Sequence, residues 1–123
     1  MATILLIYDE AHVRMLFQVA LERAGYRVLT AENGQHGLRL LEHQDVDLIL
    51  VDLLIPDMDG LDLIPLLRAA RPASKIIAFS DGSGEWDYLD AARVLGAHAT
   101  LKKRFSVEEL LDAVADQLKP SHP

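Results

Sequence analysis

The stretch Leu48-Ile49-Leu50-Val51-Asp52-Leu53-Leu54-Ile55-Pro56-Asp57-Met58-Asp59-Gly60 runs four apolar residues into an acid, then into a loop of Pro, Asp and Gly. A continuous apolar run suits a strand covered on both faces of a parallel sheet. In open α/β sheets, ligands bind beyond the carboxyl ends of such strands. The run therefore delivers Asp52 to a loop mouth where chemistry takes place.

Working outward, short apolar runs alternate with helix-period segments five times, the pattern of a parallel sheet with helices on both faces. The first strand is expected over Ile4 to Tyr8, followed by a helix with Val13, Leu16, Phe17, Ala20, Leu21 and Ala24 on one face and Gly25 as its stop. Arg27 to Thr30 reads as a second strand, and Asn33 as the cap of a helix carrying Leu38 and Leu41, weakened by Gly37. After the third strand, a helix from about Leu61 presents Ile64, Leu67 and Ala70, with Pro65 tolerable only near its first turn, and Pro72 ends the unit. Lys75 to Ser80 is the fourth strand; Asp81-Gly82-Ser83-Gly84 reads as a mobile loop into a helix through Leu89, Ala92 and Leu95, stopped at Gly96. Ala97 to Leu101 is the fifth strand. Ser106 and Glu109 form a capping box ahead of Val107, Leu110, Leu111, Val114 and Leu118.

The chain of 123 residues has the length of one domain, expected over residues 1–119 with a fraying tail at 120–123. Without cysteine it has no disulfide, thiolate metal site or thiol chemistry. A net charge of −7 disfavours direct contact with nucleic acid or an anionic membrane. The apolar runs are too short to span a bilayer, and Met1 to Tyr8 lacks the basic region and cleavage site of a signal peptide. A cytoplasmic location is the expectation. His12, His36, His43, His98 and His122 show no metal-ligand spacing, and Trp86 and Tyr88 read as packing residues of the fourth helix.

In a parallel sheet the strand C-termini share one edge, so Asp9, Asp52, Ser80 and Lys103, each just after a different apolar run, converge there. Two carboxylates suit a hard cation such as Mg²⁺, and cation plus lysine attract a phosphoryl group, for which Asp52 is the candidate nucleophile. Asp57 and Asp59 are read as loop and helix-cap residues. A calcium loop in that register would need ligands at Ile55 and Leu66, and is rejected. The aspartate motif of haloacid-dehalogenase-like phosphatases ends a strand directly, whereas Pro56 interrupts here.

From residue 3 to 118 the chain resembles the receiver domains of response regulators in two-component signalling. The resemblance rests on Ile7-Tyr8-Asp9-Glu10, Gly25-Tyr26, Asp45 to Asp52 with Pro56 and Gly60, Ile76 to Ser80, Leu95-Gly96-Ala97 and Lys103-Arg104-Phe105. It implies a flavodoxin-like, doubly wound α/β fold with a five-stranded parallel sheet of order 2-1-3-4-5 and five helices. It implies Asp52 as phosphoacceptor, Asp9 and the Leu54 backbone carbonyl as further Mg²⁺ ligands, Ser80 as the switching hydroxyl and Lys103 as the phosphate-binding lysine. The chain would be a phosphoacceptor that assists its own phosphorylation and dephosphorylation, and not an enzyme in the ordinary sense. Its partners would be a sensor histidine kinase or phosphotransfer protein, and a downstream protein bound on the face of helix 4, strand 5 and helix 5, with the chain a monomer or weak dimer.

Three positions depart from the family pattern. Tyr8 stands where the first of two adjacent acids is usual, and Glu10 follows the pair and receives no metal role. Arg104 replaces the proline after the lysine, for which a trans peptide and a re-aimed Lys103 are expected, with Lys102 as substitute. Thr100 occupies the aromatic switch position, so coupling must use another element. These departures motivate a second reading, a pseudo-receiver that binds partners without phosphorylation. A small phosphatase ranks last, since no general base or substrate pocket is visible.

Overall fold

In a computed structural model, residues 1–80 and 88–119 are described. The expectations for the loop Asp81 to Gly84, for Trp86 and for the tail at 120–123 lie outside them. The chain alternates β1 (Thr3–Ile7), α1 (Ala11–Arg23), β2 (Arg27–Ala31), α2 (Gly34–His43), β3 (Leu48–Asp52), α3 (Gly60–Ala70), β4 (Lys75–Ser80), α4 (Tyr88–Leu95), β5 (Ala99–Lys102) and α5 (Val107–Leu118). All strand pairs are parallel, in the order β2-β1-β3-β4-β5.

Every residue of β3 is buried, as its unbroken apolar run requires. The sheet separates two cores. Leu5, Ile7, Ile49, Val51, Ile76 and Ala78 face Leu41, Leu63, Leu67 and Ala92 of the α2, α3 and α4 layer. Ile4, Leu6, Leu48, Leu50, Ile77 and Phe79 face Phe17, Leu21, Leu110 and Val114 of the α1 and α5 layer.

The caps follow local chemistry. Asn33 accepts from the His36 N–H, and Ser106 and Glu109 form the reciprocal capping box. Gly96 ends α4 at φ +128°, in the left-handed region that favours glycine. Gly60, the first residue of α3, lies directly against the Leu53 backbone, so a Cβ there would meet main chain, which cannot yield as a side chain can.

Three expectations need correction. On α1, Phe17 and Leu21 are buried, but Leu16 is 55% exposed and Ala24 is exposed, because the sheet meets a narrower stripe than the apolar pattern offers. The fifth strand starts at Ala99 and not Ala97, because the Ala97 N–H is taken by the Ala92 carbonyl at the end of α4. Pro65 lies beyond the first turn of α3, on its exposed side, where water can serve the carbonyl that loses a donor.

Candidate functional site

Asp52 closes β3, opposite Phe79 in register, so Ser80 lies one residue further toward the same edge. Its Oδ1 accepts from the Leu54 N–H at 3.0 Å, a contact that turns the chain out of the strand. Its Oδ2 accepts from Lys103 Nζ at 2.9 Å. The two side chains are only 4% and 17% exposed, so this ion pair is far less screened than one at the surface. Backbone geometry supports it, since the Lys103 N–H donates to the Ser80 carbonyl at 2.7 Å and locks the start of the β5–α5 loop to the end of β4.

This arrangement corrects the expectation for strand 5. The Lys103–Arg104 peptide is cis, not trans, and Lys103 keeps its aim at Asp52. A nearly buried carboxylate without a counter-charge would be costly, and its attraction fixes the ammonium. Lys102, the substitute, ends β5 with its side chain exposed.

Tyr8 is 8% exposed and presents its ring to the same lysine, with Nζ 5.2 Å from the centroid. It packs edge-on against Phe17 at 5.7 Å and tilted against Phe79 at 6.2 Å. Burial pushes the Tyr8 phenol pKa up, with the nearby Lys103 charge opposing.

Asp9 sits exposed in the β1–α1 loop. The Arg14 guanidinium braces that loop, donating to the carbonyls of Tyr8 at 2.7 Å and Asp9 at 3.1 Å. Glu10 caps α1, accepting from the N–H groups of His12 and Val13. Those donors, His12 first, hold its carboxyl below the usual range. Asp59 caps α3 through the Leu61 N–H, and Asp57 accepts from the N–H groups of Gly34 and Gln35 at 2.9 Å each, at the start of α2.

Ser80 is buried and lines a cleft of about 240 Å³ with Leu54, Met58, Asp59 and Tyr88. A cavity of about 430 Å³ opens on the α1 side, lined by Tyr8, Val13, Leu16, Phe17, Lys103, Arg104 and Phe105. On β5, the Thr100 Oγ1 accepts from Arg93 of α4 at 2.8 Å.

Sequence reasoning missed the Arg14 brace, the Glu10 cap and the Tyr8–Lys103 contact. An acid two and three residues ahead of two helical N–H groups signals the cap. The Arg14 brace reaches back only to the Tyr8 and Asp9 carbonyls, whereas the Tyr8–Lys103 contact is long-range, and periodicity carries no trace of either.

No group of three or more Asp, Glu and His able to hold a metal occurs among the described residues. Of the ligands expected from sequence, Asp52 is buried at the end of β3 and Asp9 is exposed in the β1–α1 loop; carboxylates and a backbone carbonyl would make a hard, all-oxygen donor set. It suits Mg²⁺, an ion that keeps several waters and uses one or two carboxylates.

Comparison with known proteins accounts for this geometry. The family described as response regulator receiver domain matches residues 4–115. The sporulation initiation phosphotransferase F of Bacillus subtilis is 30% identical over 94% of this chain and 92% of its own length. A probable transcriptional regulatory protein of Picosynechococcus sp. is 35% identical over 89% of this chain, which spans only 46% of that protein. Among solved structures, the chemotaxis protein CheY4 of Vibrio cholerae superposes with a TM-score of 0.87 at 26% identity, over 96% of this chain and 99% of that one. The family match over residues 4–115 and the shared five-stranded parallel fold leave one assignment, and the chain belongs to the response regulator receiver domains.

Proposed function

We propose that Asp52 accepts a phosphoryl group from a phosphohistidine of a sensor histidine kinase or phosphotransfer protein, and that the modified chain changes its binding to a downstream protein. The observation that carries this reading is the 2.9 Å contact between Lys103 Nζ and Asp52 Oδ2 at the carboxyl edge of the sheet. A cation at that distance is placed to neutralise charge on a phosphoryl group arriving at the carboxylate.

In the transfer, a carboxylate oxygen of Asp52 attacks phosphorus, the P–N bond breaks, and the imidazole nitrogen keeps the electron pair and is protonated. Asp9, Asp52 and the Leu54 carbonyl would hold Mg²⁺, which supplies charge neutralisation on the transferring oxygens. Lys103 binds the phosphoryl oxygens, and Ser80, at the end of the neighbouring strand, donates its hydroxyl to them. The module acts as a switch in the cytoplasm, and the face of α4, β5 and α5 carries the output. No helix among the described residues is long and apolar enough to cross a membrane.

The test is intact mass after incubation with acetyl phosphate, with and without Mg²⁺, on the wild type and Asp52→Asn. A single Mg²⁺-dependent phosphoryl adduct, absent from the variant, is expected. An adduct that persists in Asp52→Asn moves the acceptor elsewhere. No adduct, together with no spectral response to beryllofluoride, favours partner binding without phosphorylation.

A further inference from the structure

Lys103 Nζ meets groups of different kinds at this edge, two of which matter here. One is the Asp52 carboxylate at 2.9 Å, and the other is the face of the Tyr8 ring, whose centroid lies 5.2 Å away. Tyr8 has little freedom to withdraw, since it is nearly buried and braced edge-on by Phe17, with Phe79 on a third side. A cation over an aromatic face is attracted to it, and more strongly where water is scarce. The neighbouring Arg104 is exposed, so the cation at the ring is the lysine.

We propose that Tyr8 is a positioning residue: its fixed ring holds the Lys103 ammonium against Asp52 and thereby raises the barrier to a divalent cation taking that carboxylate. The inference rests on Asp52 and Lys103 being the reactive pair. In a chain with an acid at position 8, a second negative charge would draw the cation in. Here the same position strengthens its competitor. Tyr8 touches neither the phosphoryl group nor the metal in this account and acts only through the lysine.

Three measurements test it on the unphosphorylated chain. In the wild type, nuclear Overhauser contacts between the Lys103 ε-methylene and the Tyr8 ring are expected; their absence overturns the proposal without any variant. Trace acetylation, read by peptide mass against Lys75 as internal reference, should show Lys103 about fivefold more reactive in Tyr8→Leu than in Tyr8→Phe, which keeps the ring and loses only the hydroxyl's hydrogen bond to the ammonium, the difference being the size of one cation–π contact. Calorimetric titration should show Mg²⁺ bound about fivefold more tightly by Tyr8→Leu than by Tyr8→Phe. Mere uncovering of the lysine would move reactivity and leave Mg²⁺ affinity unchanged, and that result rejects positioning. Equal behaviour of Tyr8→Phe and Tyr8→Leu in both assays does so as well. None of these readings needs phosphoryl transfer. An Asp52 that takes no phosphoryl group would overturn the proposed function and leave this inference standing.

Discussion

The carboxylate of Asp57 accepts from backbone N–H groups at the start of α2, with Gly34 lying 23 residues upstream. It thus serves as a cap supplied from a distant loop. Burial alone would raise its pKa, but the N–H donors of Gln35 and Gly34 outweigh that and hold the carboxyl below the usual range. The stabilisation is therefore complete above the unfolded value of about 3.9 and is lost as pH falls through the lower folded one. Asp57→Ala should cost about 1 kcal/mol at neutral pH, and Asp57→Asn less, since the amide oxygen still accepts. Urea unfolding of both variants measures this, and equal stability of wild type and Asp57→Ala would deny the cap. The sequence shows Asp57 as a loop acid and nothing more, because its partners are brought near only by the fold. Asp52 was legible for the opposite reason, since the apolar run before it fixes both its strand and its place at the end.

At the level of elements, strands and helices were readable as elements wherever burial imposes a period, and a boundary was misread where one element hands over to the next. That boundary is the start of β5. The His98 N–H donates to the Ile76 carbonyl at 2.8 Å, while the Ile76 N–H donates to the His98 ring at Nδ1, at 3.0 Å. A side chain thus completes a ladder contact ahead of the strand, and apolar spacing gives no sign of it. The accepting Nδ1 must be unprotonated, and burial first, then the positive charges of Lys75 and Arg68, lower the His98 pKa. The fold therefore favours the neutral ring: its contribution is intact above the unfolded value of about 6.5 and declines as pH drops from there toward the folded one. His98→Ala should be less stable than wild type at pH 7.5, with the gap narrowing toward pH 5.5 in urea unfolding. A gap independent of pH would mean that the ring serves as packing only.

On the scale of the whole molecule, the parallel sheet with helices on both faces followed from alternation and the strand order from the family resemblance, while the aim of Lys103 at Asp52 despite Arg104 did not follow, because the choice of partner for an ammonium is made by tertiary electrostatics. Mg²⁺ with beryllofluoride should shift amide resonances in both helical layers of the wild type, centred on the loops at the carboxyl edge, and leave Asp52→Asn unmoved. Shifts confined to one layer would contradict a switch that joins them. The reason lies in the two cores, one on each side of a sheet whose central strand is buried throughout. Close-packed interiors transmit displacement but do not flow, so a five-stranded sheet works as a partition between the helices that flank it. The loops at the rim of that partition touch the helices on both sides of it, and the rim is where Asp52 stands, at the end of the central strand.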